Sequence, residues 1–347
     1  MQTRRVFIKT LLGLGAVGLP WSLWPTRVGE TIKIGLGRPP VELVLPPLIE
    51  ESQEPNLINQ ESLNRTAMDD ILILTADEMQ GRKAGSIGEA KAAEYLTTQL
   101  SRLGLKPMGE PKIGFSHAFT IPPVVKTRVK GRLTFKPGES RTLKTPSVNL
   151  LGGLIGENPQ EIILLSAHFD HLGIFEGQVY PGANDNASGV GCVLDVIRRV
   201  LREGKVPKRT IVIAFWSAEE MGFVGSQAFV QAPTFPLQQI QAVLNVDTVG
   251  NGMLGNFALW ADSENIAVKA IRQAAAECGA SALLTPSAGH NSDSVSFASA
   301  NIPAVTLLAK EWLVKNHTPE DTTALLKLEQ VQLATEMIYR AVHSLAF

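Results

Sequence analysis

Between residues 88 and 103 the apolar side chains Ala92, Tyr95, Leu96, Leu100 and Leu103 return at intervals of three and four, the spacing of one face of an α-helix. Gly104 follows as a fitting terminator. Beyond residue 160 the rhythm changes. Residues 161–167 (EIILLSA) form a short, nearly unbroken apolar run, the length of a buried strand rather than of an ordinary helix. Residues 210–217 (TIVIAFWS), 242–246 and 304–308 repeat that pattern. Helical periodicity marks residues 188–203, 263–278 and 323–345, and in the first of these Val193, Val196, Ile197, Val200 and Leu201 share a face. Strands apolar on both sides and alternating with helices predict an α/β domain with a mostly parallel (mixed) central β-sheet covered by helices on both faces. Residues 115–148 alternate weakly and hold Pro122, Pro123, Pro137 and Pro146, which predicts short strands and a surface excursion.

The first 65 residues do not share this rhythm. Arg4-Arg5-Val6-Phe7-Ile8-Lys9 is followed by an apolar stretch from residue 10 to 19. A charged start before a short apolar core is the layout of an export signal, and the run falls short of the ~20 apolar residues of a membrane span. The paired arginines resemble the bacterial twin-arginine signal, which implies delivery of a folded protein to the periplasm or cell exterior. Membrane association is expected only through that segment, if it stays uncleaved. Residues 1–26 are therefore read as the signal. Residues 27–65, with Pro39, Pro40, Pro46, Pro47 and Pro55, are read as an extended linker or arm, and residues 66–347 as the folded domain.

Composition narrows the function classes. The hydrophobic fraction of 44% is that of a globular chain and excludes global disorder. With 32 basic and 33 acidic side chains, no positive excess exists to neutralise phosphates, so nucleic acid is not expected as a partner. Cys192 and Cys278 are far apart and lack metal-ligand spacing. They read as small apolar residues, with a single disulfide as the alternative.

The polar residues that break the pattern fall just past the predicted strand ends: His168 and Asp170, then Glu219 and Glu220, then Asp247, then His317. Open α/β sheets bind ligands outside the carboxyl ends of their strands. Imidazole and carboxylate without thiolate suit a catalytic zinc, cobalt or manganese site. These candidate ligands exceed the need of one zinc but suit two metals about 3.5–4 Å apart that share a carboxylate.

The ordered segments carry a resemblance. His168-Phe-Asp170-His171-Leu-Gly173, Gly182-Ala-Asn-Asp185-Asn186-Ala-Ser188-Gly189, Glu219-Glu220-Met-Gly222, Asn245-Val-Asp247 and His317-Thr-Pro-Glu-Asp321 resemble the motifs of the M28 family of zinc metallopeptidases. The resemblance runs over residues 66–347. It implies two Zn2+ per chain, with Co2+ or Mn2+ as substitutes: His168 and Asp247 on one, Glu220 and His317 on the other, Asp185 bridging. It implies an aminopeptidase acting on peptide or protein N-termini through a metal-bound hydroxide, with Glu219 as general base. Alternatives on the same scaffold are a glutaminyl cyclase, a carboxypeptidase or dipeptidase, and a catalytically dead binding domain. Taken alone, Asp185 reads as a turn or helix-cap residue and Glu219-Glu220 as a solvated acidic turn.

Adjacent residues on an extended backbone point oppositely, so Glu219 and Glu220 are expected to have different tasks. Asp170 shares the side of His168 and is expected to fix its tautomer. His171 reads as a pocket-rim or packing residue and Asp293 as an outer partner of the site. His290 is placed on a loop near substrate; His117 and His343 are placed as structural or surface residues. Asn316 stands where relatives carry a tyrosine before the last histidine, and is the expected oxyanion donor.

Overall fold

Residues 162–165 read Ile-Ile-Leu-Leu, and in the computed structural model their side chains alternate between two separate cores: Ile163 and Leu165 in one, Ile162 and Leu164 in the other. This is the twofold period of a strand buried on both faces. The structure describes residues 32–34, 41–43, 58–139, 144–285 and 290–347. Segments Ile32–Ile34 and Val41–Leu43 pair antiparallel with each other. The expected export signal lies outside the described residues, as does most of the expected linker. Ahead of Thr66, residues Gln60–Asn64 already form a helix, capped by the Asn59 side chain.

One nine-stranded sheet organises the remainder. In chain order its strands are β1 (Lys106–Pro107), β2 (Ser116–Ile121), β3 (Thr145–Leu154), β4 (Asn158–His168), β5 (Arg209–Trp216), β6 (Ile240–Val246), β7 (Asn256–Trp260), β8 (Ser281–Leu284) and β9 (Ala304–Ala309). Their spatial order is β8-β7-β9-β6-β4-β5-β3-β1, with β2 also paired to β3. The central strands β5, β4, β6 and β9 run parallel. Antiparallel neighbours flank them, β3 beside β5 and β7 beside β9. The sheet is mixed, with its parallel part in the middle.

Helices α1 (Ala67–Leu74), α2 (Ile87–Arg102), α3 (Ser188–Arg202), α4 (Ile266–Glu277) and α5 (Leu328–Ala346) cover one face. They bury Ile71, Leu96, Ile197, Ile271 and Ile338 in the core that holds Ile163 and Leu165. The opposite face is covered by the shorter helices Val224–Gln231 and Ser294–Ala298, whose Phe229 and Phe297 pack on Trp216. Each fully buried side chain of this size contributes about 1.5–3 kcal/mol. Cys192 and Cys278 are free thiols, the first fully buried.

One departure from the sequence reading has a local cause. The last helix begins at Leu328 rather than near residue 323. Leu326 is extended, and the Lys327 amide donates to the Gly250 carbonyl instead of to a preceding turn. The excursion at residues 115–148 contains β2, the start of β3, and a separate antiparallel hairpin, Val124–Val129 with Arg132–Pro137. Among the described residues, no helix is long and apolar enough to cross a membrane.

Candidate metal centre

Parallel pairing sets Trp216 opposite His168, so the chain leaving β5 brings Glu219 and Glu220 past the end of β4. Asp247 follows β6 directly, and its amide donates to the Leu307 carbonyl on β9. Asp185 arrives from the turn between Tyr180 and α3. Gly182 there has a left-handed φ of 61°, and a Cβ would meet the Asp185 carbonyl oxygen at 2.2 Å and the His171 ring at 2.5 Å. A Cβ at Gly189 would strike the Val246 carbonyl oxygen at 2.4 Å, so glycine lets α3 approach β6 closely. The Asp185–Asn186 peptide is cis.

These residues converge. Asp185 lies between two histidines, with Oδ1 3.4 Å from His168 Nε2 and Oδ2 3.2 Å from His317 Nε2. Asp247 Oδ1 is 3.4 Å from His168 Nε2, and Glu220 Oε2 is 3.0 Å from His317 Nε2. Among the described residues, His168, Glu219 and Asp247 form one group whose ligand atoms lie within 4.8 Å of one another, and His171, Asp185 and Glu220 form a second. All five expected ligands are thus brought to one place, with Glu219 beside the first group.

Charge in this cluster is unbalanced. Asp170, Asp185, Glu219, Glu220 and Asp247 gather around His168, His171 and His317. Burial pushes the Glu219 carboxyl well above the usual range, reinforced by Glu220, Asp247 and Asp293 and opposed by His168. Burial acts the same way on Asp185 but is outweighed by His168 and His317, which hold it well below that range. Burial disfavours the charged form of His168, yet Glu219 and Asp247 raise it well above an ordinary histidine. Asp247 Oδ1, Glu220 Oε1 and both His171 nitrogens are buried without a hydrogen-bond partner. Buried carboxylates in such number must either take up protons or be compensated by a cation. Two divalent cations would bring four positive charges to five carboxylates, so the donor set fits a pair of zinc ions.

A surrounding set of contacts aims the ligands. Asp321 accepts from the amides of Asn184 at 2.8 Å and Asp185 at 3.0 Å. Asn186 accepts from the amides of Gly189 and Thr248 and donates to the Val246 carbonyl. Arg82 is fully buried and donates to the carbonyls of Phe169, Leu74, Pro181 and Gly182, at 2.6–3.0 Å, which ties the His168 and Asp185 segments together. Asp170 Oδ1 accepts from the Glu219 amide at 3.1 Å. It lies 3.6 Å from His168 Nδ1, whose nearer partner is the Asp170 carbonyl at 3.3 Å. The Asp170 carboxylate therefore serves the Glu219 backbone more directly than the imidazole.

Other expectations shift. His171 is fully buried, not at the rim, with Nδ1 2.7 Å from Glu220 Oε1. The Asn316 amide donates to Asp185 Oδ2, so that donor is committed to the carboxylate rather than turned to substrate. Asp293 is buried with both oxygens unpartnered, and burial pushes its carboxyl up. His290 is exposed, packed edge-on against Trp312. His117 is buried against Phe229 with Nε2 3.0 Å from the Ala232 carbonyl, and His343 stacks on Phe347. Buried polar roles such as those of Arg82 and Asp321 leave no periodic trace in the sequence.

The family model described as Peptidase family M28 matches residues 149–342, more than half of the chain. An aminopeptidase of Pseudomonas aeruginosa is 35% identical over 128 residues, which cover 36% of this chain and 22% of that relative. The chain thus spans about a fifth of the length of that curated relative. Among solved structures, a zinc aminopeptidase from Bacillus subtilis aligns with a TM-score of 0.66 at 18% identity, over 84% of this chain and 96% of that one. A glutaminyl cyclase from Porphyromonas gingivalis aligns with a TM-score of 0.61 at 16% identity, over 80% and 97%. At these identities the two structures share the fold.

Proposed function

The chain belongs to peptidase family M28, and from that premise we propose that it is a two-zinc aminopeptidase that releases residues from the N-termini of peptides. The observation that carries this reading is the position of Asp185, its two oxygens facing His168 Nε2 and His317 Nε2 with Asp247 and Glu220 on the outer sides. His168, Asp247 and Asp185 would hold one cation, and His317, Glu220 and Asp185 the second. Cobalt or manganese can replace zinc in such a nitrogen and oxygen set.

When bound, the pair supplies Lewis acidity for a carbonyl and lowers the pKa of water. The remaining work falls to the chain. Glu219 takes a proton from the attacking water and delivers it to the leaving amine. Asp170 holds the Glu219 amide, and so fixes where that carboxylate can reach. Asp185 keeps the two halves of the site in register, supported by Asp321 behind it. The excess of carboxylates favours a substrate that brings a free ammonium group.

The reaction is tested by measuring zinc content together with hydrolysis of matched peptides, free or blocked at the N-terminus. Free peptides should be cleaved and blocked ones spared. Equal cleavage of blocked peptides ends the aminopeptidase reading in favour of a carboxypeptidase or another peptidase. Cyclisation of Gln-peptides with one zinc per chain would make it a glutaminyl cyclase, whereas zinc-loaded protein inert to all of them would be a binding domain. We also infer export through the Arg4-Arg5 segment. Replacing both arginines by lysine should leave the protein in the cytoplasm, and unchanged export would refute that inference.

A further inference from the structure

The hairpin Val124–Val129/Arg132–Pro137 lies outside the segment matched to the family, and its strands pair only with each other. Most of its residues are exposed or half-buried, with Leu133 fully buried beside Leu172 and Tyr180. Its inner end nevertheless meets the centre at several points. The Leu133 carbonyl oxygen lies 2.7 Å from His317 Nδ1, and the Leu133 amide donates to the His317 carbonyl at 3.3 Å. Arg132 donates through Nε to the Asn316 carbonyl at 3.3 Å, and through Nη2 to Asn316 Oδ1. Its guanidinium also lies over the Trp312 ring, 5.6 Å from the centroid. The segment so gripped includes His317 itself at φ 60° and Lys315 at φ 59°, left-handed conformations that side chains other than glycine rarely hold without outside support.

These contacts form two short relays. Leu133 oxygen accepts from His317 Nδ1, which keeps Nε2 turned toward Asp185 and Glu220. Arg132 occupies Asn316 Oδ1, which forces the amide nitrogen toward Asp185 Oδ2. An Asn side chain without that contact could turn its oxygen on the carboxylate, where the two would repel.

We propose that this hairpin is a clamp on the metal centre, with Arg132 a positioning residue that acts through Asn316 on the shared carboxylate of Asp185. The inference rests on the two-cation reading above. It makes the half of the site built from Asp185, Glu220 and His317 depend on a hairpin that the family match does not include.

The test is a zinc competition titration against a chromogenic chelator, run on the full chain and its variants. The wild type should retain two zinc ions. Arg132→Ala should keep one at wild-type affinity and bind the other about 10–100-fold more weakly, the usual cost of losing an outer support of a ligand. Arg132→Lys should not restore it, because one ammonium cannot make both the Nε and Nη2 contacts. Asn316→Ala should show the same loss, and adding Arg132→Ala to it should change nothing further, the signature of one relay. Thermal midpoints of metal-free Arg132→Lys and metal-free wild type should agree, which separates the clamp from a folding defect. Wild-type affinity for both ions in Arg132→Ala, rescue by lysine, or fully additive losses would overturn the clamp alone. A wild type that takes up no zinc would overturn the two-cation reading and the clamp with it. Normal zinc loading without peptide cleavage would overturn only the proposed reaction.

Discussion

His171 Nδ1 lies 2.7 Å from Glu220 Oε1, yet the two atoms lack the alignment of a hydrogen bond and both are buried without any partner. Two groups brought so close and left unjoined are what a site built for a cation presents before the cation is counted. The His171 and His317 rings also sit edge to face, 5.8 Å between centroids, so His171 limits where Glu220 and His317 can move. His171→Ala should weaken zinc binding at the Glu220 half of the site by about 10–100-fold. Equilibrium dialysis against buffered zinc reads this directly, and two ions held at wild-type strength would remove His171 from the account.

Glu219 stands with His168 and Asp247, and the proposed reaction uses it only to move a proton. Glu219→Gln keeps its volume but not its basicity. Turnover of an aminoacyl amide should fall by about 10²–10⁴-fold while both zinc ions stay bound. Near-normal turnover would rule out the role of general base, and loss of zinc would make Glu219 a ligand instead.

Asp321 holds the Asp185 segment through two backbone amides. Asp321→Asn turns one of those acceptors into a donor facing a donor. The expected cost is about 1–3 kcal/mol of stability, together with weaker zinc binding. Denaturant titration with and without zinc measures both, and an unchanged midpoint in both conditions would show that the loop is held by other contacts.

Glu89 gives a pH prediction away from the centre. Burial pushes its carboxyl up to about 7, against hydrogen bonds from Ser147, Ser217 and the Gly85 amide that favour the charged form. The unfolded chain releases this proton near the ordinary value of 4.5, so between those pH values the folded state binds more protons. Stability therefore falls as pH rises through that window, by at most about 3 kcal/mol from this group. The difference in unfolding free energy between wild-type and Glu89→Gln protein, both metal-free, should change across pH 4.5–7 and level off above it. A constant difference would show that Glu89 is already ionised in the folded chain.

Much of the fold is legible in the sequence because apolar runs such as residues 161–167 and 210–217 can be stable only when buried on both sides. Four of the five expected ligands, His168, Glu220, Asp247 and His317, are legible for a related reason, since they follow apolar strands; Asp185 stands out only through the resemblance of its motif. Strand β8 was not legible, since three of its four residues are exposed and it gives no twofold signal. Neither was β7, a five-residue strand joined antiparallel to β9. Within the site, single-sequence reading failed wherever a role depends on a partner distant in the chain. His171 reads only as a rim or packing residue because nothing nearby in sequence shows Glu220 against it. Asn316 read as a substrate donor because its commitment to Asp185 is made across 131 positions. Arg132 lies in a stretch whose prolines and weak alternation predict short strands and a surface excursion, with nothing that ties it to the site.

The central claim is that His168, Asp185, Glu220, Asp247 and His317 hold two cations between them. Anomalous scattering from crystals grown with zinc, recorded on both sides of the zinc absorption edge, tests it most directly. The account predicts two peaks about 3.5–4 Å apart, one between His168 and Asp247 and the other between Glu220 and His317, with Asp185 reaching both. A single peak, or peaks that leave Asp185 in contact with fewer than two ions, would contradict it.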